Sequence, residues 1–146
     1  MSRAEPSRSA GFRLDWGLAF LQSLSGPLLL LARAMLAYIF VVEGYGKIMS
    51  YGGVAGYMQQ HGVAPALLPL VILTELGGGL LVFFGLMTRW AAIALFGFCL
   101  LTALFFHMGA DQQVQLLKNI AMAGGFLALA TAGPGPWSID AWRGRG

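Results

Sequence analysis

Charged side chains are scarce in this sequence: Asp, Glu, Lys and Arg make up 10% of its 146 residues, whereas 58% are hydrophobic. A soluble domain of that length needs more polar surface to stay in water, so the scarcity excludes an ordinary soluble globule and makes the lipid bilayer the solvent. The mean hydropathy of +0.72 agrees. Cysteine is nearly missing. Cys99, the single one, stands inside an apolar run, which excludes an intramolecular disulfide, a CxxC redox motif and a thiolate metal site, and leaves a small buried hydrophobe. Histidine is limited to His61 and His107. They sit on separate segments with no HExxH or CxxCH around them, so no metal site and no haem are expected. Basic stripes are absent as well: the formal charge is +3, but the arginines stand singly at the ends of apolar runs, which speaks for membrane topology and against nucleic acid. Glycine is plentiful, yet no GxGxxG lies between a strand and a helix, so nucleotide binding has no support.

What is present is a series of long apolar runs, and they predict an all-α, multi-pass membrane protein built as a bundle of four transmembrane helices. Residues 1–11 are small, polar and charged and are expected to form a disordered cytoplasmic tail. Over residues 12–24 apolar positions mix with Arg13, Asp15 and Gln22; this is too short and polar to span, and reads as an interfacial segment with Trp16 at headgroup depth. Arg3, Arg8 and Arg13 precede an apolar stretch as in a secretory leader, but no small-residue cleavage site follows, so the segment is kept as mature helix. Ser25, Gly26 and Pro27 resemble a helix start, with a capping hydroxyl ahead of proline.

The spans are expected at about 28–49, 66–87, 90–108 and 113–132, each long enough for the hydrocarbon core. YGGVAGYMQQHGVAP between the first two reads as a loop with one helical turn over 54–60. Thr88 and Arg89 make the tight turn of an antiparallel hairpin. GPGPWSIDAWRGRG cannot continue a helix and places Trp137 and Trp142 at an interface, leaving 143–146 as a tail. If the spans alternate, Arg3, Arg8, Arg13, Arg33, Arg89, Arg143 and Arg145 fall on one side, while only Lys47 and Lys118 fall on the other. Both ends are therefore expected in the cytoplasm, with Arg33 and Arg89 as topology determinants. Ala121 with Gly125, Gly124 with Ala128, and the Gly77, Gly78, Gly79 run offer surfaces where helices can approach.

Depth along the helices brings a polar set into the outer half of the bundle: Glu43 and Lys47 in span one, Glu75 near the middle of span two, His107 at the end of span three, and Lys118 with Asn119 in span four. Buried charges of this kind must face the bundle interior and pair. Glu43 and Lys47 stand at i and i+4 and pair within their helix. Glu75 is expected to take Lys118 or His107 across the bundle, and two charges of each sign make the set neutral. The residues fit either a ligand site or a polar brace that fixes helix register.

Several strings resemble the DoxX family of small bacterial membrane proteins: GYGKI with Tyr57 and Met58 downstream, HGVAP, TELGGGLLVFFGLMTRWAA, LTALFFH, LLKNIAMAGGFL and the terminal GPGPWSIDAW, in the family's order from about Leu28 to Trp142. Two departures stand out. Pro136 replaces the arginine that commonly follows GPG, removing a phosphate or partner contact. Glu43 occupies a position often small or polar, adding a charge to the outer set. The resemblance implies a four-helix fold and an association with redox chemistry, since namesakes are linked to a thiosulfate:quinone oxidoreductase and to oxidative-stress complexes.

The leading expectation is thus a multi-pass inner-membrane protein acting as a redox-associated, quinone-linked subunit. It would bind an apolar small molecule among Glu43, Glu75, Lys118 and Asn119, beside walls that include Phe105, Phe106 and Tyr45. Its expected partners are the lipid bilayer and either a redox partner protein or further copies of itself. A scaffold or chaperone without turnover is the second reading. A small-solute transporter is the third, and would require an oligomer.

Overall fold

The computed structural model describes residues 8–144, with side chains placed from Trp16 onward. Residues 1–7 of the expected tail, together with Arg3 and Arg145, lie outside the described residues. From Arg8 the chain is helical, so the interfacial segment and the last residues expected in the tail form one helix, α1, Arg8–Ser23. α2 follows at Ser25–Met49. Ser25 does not cap it: α2 carries no side-chain cap, and Leu28 N donates to Leu24 O across the junction at 3.0 Å.

The presumed loop after α2 is mostly a helix, α3, Tyr51–Gln60. Its three glycines hid it from a reading that treats glycine as punctuation. α4 is the composite span Pro65–Phe84, and α5, Thr88–Phe106, is the third. α6, Gln113–Ala132, continues a single turn over Ala110–Gln112 to complete the fourth, and α7, Ile139–Trp142, ends the described chain. These four helices are long and apolar enough to cross a membrane. The hairpin turn falls at Gly85 and Met87, both with positive φ, and Thr88 and Arg89 already belong to α5.

α5 and α6 pack extensively, α2 packs along α4, and α4 along α5, whereas α2 meets α6 over a short stretch. There Leu36 fills the space at Gly125, where a Cβ would lie 2.9 Å from its Cδ2. One turn on, Phe40 meets Phe126 edge to face at 5.2 Å. The core of Ala37, Phe40, Val82, Ala92, Leu95, Cys99 and Phe126 is centred on this crossing. Beyond it, toward α3, the helices leave a cavity.

The small-residue surfaces divide accordingly. Gly79 meets Phe40 and Val41, Gly78 meets Leu95 and Gly125 meets Leu36, whereas nothing lies within 4 Å of a Cβ at Gly124. The expected Gly124 packing surface is not used inside the bundle.

Candidate functional site

α4 changes character at its centre. Between the α-helical runs Leu68–Ile72 and Gly78–Phe84, residues Leu73–Gly77 form a π-helical turn that contains Glu75. Thr74, within this turn, donates its hydroxyl back to Leu70 O at 2.8 Å, a bond that loosens the helical ladder. Such single wide turns re-aim side chains and concentrate at functional positions. α2 lies directly against the turn because Gly44 has no side chain: a Cβ there would sit 2.7 Å from Leu76 N. Lys47, three residues beyond Gly44, is thereby brought to Glu75.

The result is an ion pair inside the bundle. Lys47 Nζ stands 2.7 Å from Glu75 Oε2 and 3.6 Å from Glu43 Oε2, with the side chain of Glu75 7% exposed and that of Glu43 59% exposed. One ammonium serves two carboxylates, in order of increasing exposure. Glu75 therefore takes neither Lys118 nor His107. The expected cross-bundle pairing is corrected by the close approach of α2 that Gly44 permits, which places a nearer cation on the adjacent helix.

The pair forms one wall of a cavity of about 300 Å³. Phe40, Phe98 and Met122 floor it, and α5 and α6 supply the facing wall with Thr102, His107, Gln115, Lys118 and Asn119. Asn119 is buried and donates from Nδ2 to Gln115 O at 3.0 Å. His107 Nδ1 and Gln115 Oε1 are buried with no hydrogen-bond partner in the protein. α3 covers the far end: Met58 is buried, and Tyr57 stacks on Phe106 at 5.6 Å with His61 tilted against both rings.

All six residues expected at the site, Glu43, Lys47, Glu75, His107, Lys118 and Asn119, line this one cavity. Two expected wall residues do not. Tyr45 and Phe105 are each 58% exposed and point away from the bundle, because each is one residue off its helix's inward stripe; Phe106 alone remains. Sequence reasoning missed Thr102, Gln115 and the α3 residues. Gln115, Asn119 and Met122 follow the i, i+4, i+7 spacing of a single helix face, and Phe98, Thr102 and Phe106 the i, i+4, i+8 spacing of another, so the signal was there. The π-turn left none.

The opposite end of the bundle carries a separate polar cluster. Arg33 is fully buried and donates to Trp137 O, a structural position beyond the topological one expected. Gly85 is bare so that this guanidinium can pass. Asp140 accepts from the Met87 and Thr88 amides at 2.9 Å each and from the Thr88 hydroxyl at 3.2 Å. It thus caps the start of α5 from the far end of the sequence. Burial pushes the Asp140 carboxyl up, but these hydrogen bonds and the charge of Arg143 outweigh it and hold the group below the usual carboxylate range. Arg89 donates to the carbonyls of Ala130 and Thr131 at 2.6 and 2.8 Å, closing the end of α6. Among the described residues no cluster of His, Cys, Asp and Glu is placed to hold a metal ion.

The family described as DoxX matches residues 28–108. The inner membrane protein YqjF of Escherichia coli K12 is 47% identical over 114 residues, covering 76% of this chain and 88% of that protein. The inner membrane protein YphA of the same organism is 32% identical over 123 residues, covering 77% and 88%. No solved structure matches the chain.

Proposed function

The chain belongs to the DoxX family and is a multi-pass inner-membrane protein, and on that footing we propose that it is a redox-associated membrane subunit whose cavity holds a quinone-like molecule. The observation that carries this reading is the buried Lys47–Glu75 pair opening on a cavity with apolar walls. A ligand site is expected to combine such walls with a few convergent polar groups. A brace alone would leave no space between the polar walls, and here His107 Nδ1 and Gln115 Oε1 are buried without partners beside that space. On one wall His107 Nδ1 and the Lys118 ammonium can donate to a quinone carbonyl, and Gln115 Oε1 can accept from a hydroquinone hydroxyl; on the other, Lys47 can donate to a carbonyl and the Glu75 carboxylate can accept from a hydroquinone hydroxyl. A quinone in that place would supply two-electron, two-proton chemistry. The chain's own part is to orient the ring and hold protons near its oxygens: Lys47 keeps the Glu75 carboxylate in place, and Glu43 links the pair to the exposed rim.

We place both chain ends in the cytoplasm. Arg89 and Arg143 stand at the α7 end of the bundle, where Asp140 joins the α5 start to the C-terminal segment, and the opposite end holds Lys47 and Lys118. The cavity then belongs to the outer half. Quinone reduction or oxidation in this reading requires a partner protein to carry the electrons. Adding a short-chain quinone to the purified protein at 100 times its dissociation constant is expected to stabilise it by about 2.7 kcal/mol. The rise in melting temperature should vanish in Thr102→Trp, which fills the cavity. No rise in the unaltered protein would overturn the reading.

A scaffold role has one observation in its favour. Ala121, Gly124 and Ala128 form an exposed small-residue face on α6, suited to close approach by another helix. Gly124→Leu would then disrupt a native complex while leaving quinone binding intact.

A further inference from the structure

We propose that the ligand reaches the cavity sideways from the outer leaflet, through a groove between α2 and α3, and is therefore an amphiphile with a polar head and an apolar tail. This rests on the cavity being a ligand site, and it adds the route and the shape of what occupies it. The groove runs along α2 from Val42 to Ser50 and is walled on the other side by Gly53, Val54 and Tyr57 of α3. Glu43, Lys47, Val54 and Tyr57 line both groove and cavity, so the two spaces adjoin and only these side chains stand between them.

Three further observations give the direction. Gly46 and Gly53 face the groove with nothing within 4 Å of where a Cβ would be, so both helices leave it open at these positions. From Val42 to Ser50 is about 12 Å of helix, which carries the groove well below the membrane surface. On its lipid side α2 carries Tyr45 and Met49, exposed apolar side chains, as suits a wall against lipid. The route along the bundle axis, by contrast, is covered by the Tyr57, His61 and Phe106 rings and by buried Met58.

Charge accounts for the head group. Glu43 is more than half exposed although it lies deep along this groove, and it shares Lys47 with Glu75. This wall therefore carries one more negative charge than positive. A carboxylate in that position is unfavourable against bare hydrocarbon. A head group with hydroxyl or carbonyl oxygens, passing with its hydration, satisfies Glu43 and Lys47 on the way in, and the tail stays behind in the groove.

The test uses the full chain in phosphatidylcholine vesicles, with Cys99→Ala removing the native thiol and Thr102→Cys placing a new one on the cavity wall. N-dodecylmaleimide, which partitions into the bilayer, should label this thiol, and a sulfonated, membrane-impermeant maleimide should do so much more slowly. Gly53→Leu, and separately Gly46→Leu, should slow labelling by the dodecyl reagent at least tenfold. Gly124→Leu, which adds the same bulk on the lipid face of α6, should leave the rate unchanged. Labelling that ignores both groove substitutions, or that falls equally with Gly124→Leu, would overturn the portal. A tailed quinone added in excess separates the two claims: groove-dependent labelling that it does not protect against keeps the portal and removes the quinone.

Discussion

Lys47 is the cation that Glu75 uses, and this decides how the other charged side chains act. Removing either partner of a buried pair strands the remaining charge and is expected to destabilise by about 3–5 kcal/mol. The double change Glu75→Gln with Lys47→Met should then fall short of the sum of the single losses by about 1–3 kcal/mol. Glu75→Gln with Lys118→Met should be additive to within about 0.5 kcal/mol, because Lys118 is exposed and stands on the facing helix. Melting in detergent reads both cycles, and coupling to Lys118 in place of Lys47 would contradict the geometry. At the other end, Asp140 gives a pH dependence of definite sign. Its folded-state value lies below the ordinary carboxylate range, so its stabilisation is complete above the unfolded value of about 3.9 and is lost as pH falls through the lower folded value. Asp140→Asn should cost about 1–3 kcal/mol at neutral pH. Its deficit against the unaltered protein should shrink below pH of about 4, as seen in melting temperatures across pH.

At the scale of elements, the site depends on how closely α2 approaches the π-turn of α4. Gly44→Val would push Leu76 away and part Lys47 from Glu75, with an expected loss of about 1–3 kcal/mol from overpacking. Gly46→Ala, two residues on in open space, should be nearly neutral and serves as the comparison in the same melts. The four spans were legible in the sequence because apolar runs of that length have one stable use, and so was the meeting of Glu43, Lys47, Glu75, His107, Lys118 and Asn119 at one end. The Glu43–Lys47 pair was legible too, from its i, i+4 spacing, but the partner of Glu75 was not. It follows from a glycine contact and a π-turn, and neither a close approach nor a wide turn leaves a periodic trace. α3 escaped for a different reason: it is held by Met58 packing inward and by Tyr57 on Phe106, tertiary contacts that outweigh the poor helix propensity of its glycines. The cap that Asp140 supplies to α5 across 52 positions of sequence was likewise out of reach of local patterns.

The whole molecule is a bundle made tight at one end and open at the other. At the α7 end, Arg33, Arg89 and Asp140 tie helix termini together through backbone contacts. Beyond the Phe40–Phe126 crossing, the helices separate around a cavity with charged groups on both walls. A polar cavity inside an otherwise apolar bundle is a standing expense in stability, which fits a protein that holds something there. The most direct measurement is the quinone content of protein purified from native membranes, extracted into organic solvent and quantified against protein for the unaltered chain, Thr102→Trp and Gly124→Leu. The account predicts about one quinone per chain in the unaltered protein and in Gly124→Leu, and at least a tenfold lower content in Thr102→Trp with its helical content preserved. No quinone in the unaltered protein, or equal amounts in all three, would contradict it.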